Sequence, residues 1–151
     1  MNLSRLQPLA NQRVLLLQGP MGPFFNKLDR HLRANGSQTF RICFNGGDRL
    51  FANDDNRVDY RGKPHGWRTF LTDFCTEKKI QAMIVYGDYR FYHLVAKDVA
   101  TASGIQFLVF EEGYLRPNFV TLEKNGVNAN SSLPRQASFY RQLKPGPTPE
   151  R

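Results

Sequence analysis

The apolar residues of this chain gather in short continuous runs, separated by segments with helical spacing. RVLLLQ at 13–18, TFRICF at 39–44, AMIVYG at 82–87 and IQFLVF at 105–110 are rich in Val, Ile, Leu and Phe. Unbroken runs of this length predict strands buried on both faces, because a half-exposed strand would alternate with polar residues. Between them the apolar positions recur every three or four residues. Phe25, Leu28 and Leu32 share one face of a helix predicted over 22–35, which Asn35-Gly36 stops. Pro64 opens a second helix whose face carries Trp67, Phe70, Leu71 and Phe74. A third places Phe91, Leu94, Val95, Val99 and Ala102 on one face and ends at Gly104. The polar stretch 45–63 reads as a long loop with a short strand at RVDY.

Strand followed by helix, three times over, predicts an α/β fold: a Rossmann-like parallel sheet with helices on both faces. Ligands of such sheets gather at the carboxyl ends of the strands. QGPMGP, GDYRFYH and EEGYLRP each follow a strand, so they would meet on one rim. Past Pro117 the pattern changes. Asn125-Gly126 lies between two β-prone runs and predicts a hairpin, and a short helix at 137–143 precedes a Pro-rich tail. The expected organisation is an N-terminal extension at 1–12, one domain at 13–134, and a tail or interdomain linker at 135–151.

Length and charge narrow the function classes. The 151 residues suit one domain or half of a larger enzyme, and 21 Lys and Arg against 13 Asp and Glu give a net charge of +8. Such an excess suits a sugar nucleotide, a nucleic acid or an anionic membrane surface. The basic residues are scattered and the helical aromatics sit at core spacing, so no nucleic-acid partner is expected. No apolar run reaches the ~18 residues of a membrane span, and MNLSRLQPLANQR has no signal-peptide core. Cys43 and Cys75 read as buried free thiols of a reducing compartment. His31, His65 and His93 lack ligand spacing, so no metal and no cofactor are expected.

Each rim segment has two readings. Gly19 and Gly22 could cradle an anion at a helix N-terminus, or simply make a tight turn. Asp88 could cap the third helix or face a ligand, and Arg90 and His93, three apart, could reach an anion together. In EEGYLRP the adjacent carboxylates Glu111 and Glu112 could serve as general base or nucleophile, with Gly113 turning the chain away and Arg116 pairing with an acid or an anionic substrate. The alternative there is a turn cap with one solvated acid.

VLLLQGPMGPFF, VDYRGKPHGW, YGDYRFYH, FEEGYLRPNFVTLE and GVNANSSLPR, in this order, resemble the amino-terminal half of the capsule polysaccharide biosynthesis proteins, the bacterial β-Kdo transferases. The resemblance implies the amino-terminal domain of a GT-B-type glycosyltransferase that uses CMP-Kdo as donor and an anionic phospholipid or Kdo-lipid as acceptor. It implies a cytoplasmic protein peripheral to the inner membrane. Bacterial sialyltransferases have a similar acid-acid-glycine motif, which puts Glu112 in the catalytic role with Glu111 tuning it. Gly19, Gly22, Asp88, Arg90, Gly113 and Arg116 fall among the substrate-binding positions. The family's CMP-binding half, with its His-Pro motif, has no counterpart in these residues. The alternative is a non-catalytic binding or scaffold module of the capsule assembly and export complex.

Overall fold

The structure is a computed structural model that describes residues 8–17, 22–52, 54–114 and 119–144. Six strands form one sheet: β1 (Arg13–Leu17), β2 (Gln38–Cys43), β3 (Arg57–Asp59), β4 (Ala82–Tyr86), β5 (Gln106–Glu112) and β6 (Val120–Lys124). Their spatial order is β3-β2-β1-β4-β5-β6. The first five run parallel and β6 runs antiparallel to β5. The helices are α1 (Phe24–Ala34), α2 (Gly46–Leu50), α3 (Trp67–Lys78), α4 (Phe91–Ala102) and α5 (Ala137–Arg141). This is the Rossmann-like α/β sheet that the alternating pattern predicts.

Both faces of the sheet are covered, which is why its strands read as unbroken apolar runs. Leu15 and Leu17 of β1 point into a core shared with Trp67, Leu71, Val85 and Val109. Val14 and Leu16 point the other way, into a core shared with Phe25, Leu28, Leu32 and Phe110. The three α1 side chains are essentially sealed from water, each contributing about 2 kcal/mol of burial. Leu9 also lies in this second core, and its carbonyl accepts from the Ser37 hydroxyl at 2.7 Å. The packed domain therefore begins before Arg13, inside the expected extension. Cys43 and Cys75 are both free and buried.

Three expectations change. The loop at 45–63 contains α2, capped where Asn45 Oδ1 accepts from the Asp48 N–H at 3.0 Å. Asn125-Gly126 makes no hairpin: β6 pairs back onto β5, and the left-handed φ of Asn125 and Gly126 leads into a 3-10 turn at Asn128–Asn130. Helix α4 is rotated from the expected phase. It buries His93, Ala96, Val99 and Ala100, while Phe91 and Leu94 are 52% and 49% exposed. Its first turn explains the rotation. The Tyr92 ring stacks on Phe44 at 4.2 Å, and the Tyr92 carbonyl accepts from Trp67 Nε1 at 3.0 Å. Those anchors set the phase against what hydrophobic spacing alone would choose.

Candidate functional site

The crossovers from β1 and β4 leave in opposite directions along the sheet, so the crevice beyond their carboxyl ends is the topological switch point. Gly22 lies on the β1 side with φ +94°, and no atom would lie within 4 Å of an added Cβ. On the β4 side Gly87 has φ +73°, a conformation that favours glycine, and its N–H donates to the Phe110 carbonyl at 2.8 Å. That bond ties the β4–α4 loop to the strand carrying the acid pair. Gly19 and Arg116, both expected substrate contacts, lie outside the described residues.

Glu111 and Glu112 are the last two residues of β5, so their side chains leave on opposite faces. The expectation of two carboxylates side by side gives way to one acid per face. Glu111 is half-buried beside Gly87, and its Oε1 accepts from the Glu112 N–H at 3.0 Å. Glu112 is exposed on the side of Phe110, where Phe24 of α1 packs edge-on at 5.1 Å. Gly113 is buried, and an added Cβ there would lie 2.6 Å from the Phe119 carbonyl oxygen. Its N–H donates to that oxygen at 2.9 Å, so close approach of the β5–β6 connection is what requires glycine at 113.

Asp88 does not cap α4. The residue at the cap is Arg90, half-buried, with no side-chain capping bond. Buried Asp88 accepts instead from the Val127 N–H at 3.1 Å and from Asn130 Nδ2 at 3.0 Å. Nor do Arg90 and His93 form a joint anion receptor. His93 is fully buried, and its Nδ1 lies 2.8 Å from the Gly87 carbonyl, to which it must donate. Burial lowers its pKa from 6.5 to about 4 against the opposing Gly87 hydrogen bond, so the ring is neutral near pH 7. A folded pKa below the unfolded one stabilises the protein fully above pH 6.5 and loses that stabilisation as pH falls towards 4. The expected loss is about 3 kcal/mol, read from urea unfolding between those limits, and His93→Gln should flatten the profile.

One acid at this rim has no local sequence signal. Glu123 of β6 is buried and accepts from the Tyr114 hydroxyl at 3.0 Å and from the Ser131 hydroxyl. The Asn128 N–H donates to Tyr114 Oη at 3.3 Å. Asp88 and Glu123 together hold residues 127–131 against the rim, which accounts for the polar character of VNANS. Two clefts open elsewhere among the described residues, at the amino-terminal ends of strands. One of about 630 Å³ lies between Arg33, Thr39, Asn56 and Lys78, and one of about 350 Å³ between Ala100, Gly104, Phe107 and Asn125. No group of three His, Cys, Asp or Glu is gathered among the described residues for a metal ion.

Residues 81–148, which take in β4, the acid pair and the Asp88–Glu123 clamp, match the family described as Capsule polysaccharide biosynthesis protein. The Capsule polysaccharide export protein KpsS of Escherichia coli is 45% identical over 141 residues, covering 93% of this chain and 36% of that protein. The chain is a homologue of the capsule polysaccharide proteins. The Capsule polysaccharide modification protein LipB of Neisseria meningitidis is 43% identical, over 92% of this chain and 33% of LipB. The chain thus spans roughly a third of each capsule relative. The fold is similar to that of UDP-GlcNAc 2-epimerase from Methanocaldococcus jannaschii, with TM-score 0.51 at 18% identity over 69% of this chain and 32% of the epimerase. Among the described residues no helix is long and apolar enough to cross a membrane.

Proposed function

We propose that this chain carries the catalytic-acid side of a capsule glycosyltransferase that moves Kdo from CMP-Kdo to a phospholipid or Kdo-lipid acceptor. The supporting observation is position: Glu111-Glu112-Gly113 closes β5 beside the switch point, in a chain 45% identical to KpsS. Glu112 either bonds to C2 of the donor sugar as CMP departs, later yielding to the acceptor oxygen, or takes the acceptor hydroxyl proton as that oxygen displaces CMP from C2. Glu111 positions the Glu112 backbone through its carboxylate. Arg90 and Arg116 meet the sugar carboxylate or a lipid phosphate, and Gly19 and Gly22 keep the first loop close to the sugar. With a net charge of +8, the protein sits against the anionic inner leaflet as a peripheral cytoplasmic component. Each Lys or Arg near such a surface contributes about 1 kcal/mol.

The exposed Tyr89, Phe91, Leu94 and Tyr114 favour a second reading, a non-catalytic contact module of the capsule assembly and export complex. One assay separates the two. The protein expressed from its natural gene is incubated with CMP-Kdo and vesicles containing phosphatidylglycerol, and both CMP release and lipid-linked Kdo are followed. Transfer is expected. Absence of both products removes the transferase reading.

A further inference from the structure

The α1 face of the sheet contains a cation that the roles assigned to the rim acids leave unused. Arg41 of β2 is 3% exposed, a burial that an arginine seldom reaches without a carboxylate partner. No acid lies within ion-pair distance of it among the described residues. Its Nη1 donates to Asn26 Oδ1 at 2.7 Å and to the Phe51 carbonyl, two neutral acceptors, and the Asp48 and Asp29 carboxylates act on the charge only from beyond ion-pair distance. Its Nε is buried without a partner. Desolvating a cation in this way costs several kcal/mol unless a counter-charge is supplied.

The guanidinium lies against the first turn of α1, with Cζ 5.7 Å from the Phe25 ring centroid and Asn26 as its hydrogen-bond partner. That turn has no side-chain cap and no acidic residue, so the free N–H groups at its start add to the positive field. Gly22, just before the helix, has open space beside it. We propose that Arg41 and the first turn of α1 form a binding site for a phosphate group. A phosphate accepts from a planar guanidinium and from helix N–H groups at once, and it supplies a negative partner in direct contact. Arg41 pairs with Leu16 in register and shares the α1 face with Glu112, with β1 and β4 between their strands. By register Arg41 is level with Leu108 of β5, so Glu112 lies three strand spacings across the sheet and four residues further along it, roughly 20 Å away. The proposal is independent of what Glu111 and Glu112 do: phosphate binding without any transfer leaves it standing.

The test is thermal unfolding in inorganic phosphate against chloride at matched ionic strength. The wild-type protein should show a saturable, phosphate-specific rise in Tm. Asn26→Asp places a carboxylate on Nη1, supplying a directly bonded counter-charge from within. It should raise Tm without phosphate and weaken the apparent phosphate affinity at least tenfold. Arg41→Gln, if it folds, should lose the response. Glycerol 3-phosphate and cytidine 5′-monophosphate form two further arms, and the one that competes at lower concentration tells a lipid headgroup from a nucleotide. No phosphate-specific rise in the wild type, or a full rise retained in Asn26→Asp, overturns the proposal.

Discussion

Glu112→Gln should lower Kdo transfer by about 10²–10⁴-fold, the range ascribed to a positioned proton-transfer group, while leaving thermal stability near that of the wild type. The small structural cost follows from where the side chain sits. Glu112 is exposed at the end of β5, and an amide fills the same volume. The large kinetic cost follows because an amide neither forms a stable bond to the sugar carbon nor takes a proton. Glu111→Gln makes the informative comparison. An amide oxygen can still accept from the Glu112 N–H, so its loss should be much smaller. Near-normal turnover by Glu112→Gln removes the catalytic assignment. Equal large losses in both variants would instead assign the chemistry to the pair.

Asp88→Ala should lower folding stability by about 4 kcal/mol, measured by urea unfolding, as the sum of two hydrogen bonds to a charged acceptor. Buried Asp88 accepts from the Val127 N–H and from Asn130 Nδ2, and alanine leaves that N–H buried without a partner. Asn130→Ala removes one of the two bonds and should cost roughly half as much. If the two variants cost the same, the Val127 contact carries no weight and the clamp is weaker than its geometry indicates. A cap at α4 would have left 127–131 unaffected, so amide hydrogen exchange in that segment distinguishes a clamp from a local helix effect.

Unbroken apolar runs made β1, β2, β4 and β5 legible to within a residue or two, because a strand covered on both faces has no polar alternation to blur its ends. The misreadings come where a distant partner overrides a local signal. Asn125-Gly126 has the chemistry of a hairpin turn, but β5 had already taken β6 through the close approach at Gly113. The phase of α4 was decided by Trp67, Phe44 and Gly87, none of which lies on the helix. At the rim, the carboxyl-end placement of the acid pair was readable from IQFLVF followed by EEG. The bonds of Asp88 were not, since its partners lie 39 and 42 residues downstream. Glu123 carries no signal of its own in the sequence. Only its burial against Tyr114 and Ser131 makes it part of the frame.

The two sealed thiols give this fold a labelling clock. Burial pushes Cys43 up to about 11 and Cys75 up to about 12, so neither carries appreciable thiolate at neutral pH while the chain is closed. A thiol-directed reagent can therefore modify them only as fast as the structure opens. Cys43 ends β2 and Cys75 sits in the last turns of α3, so separate modification rates would report whether the β2–β3 side of the sheet and its helical layer come apart together.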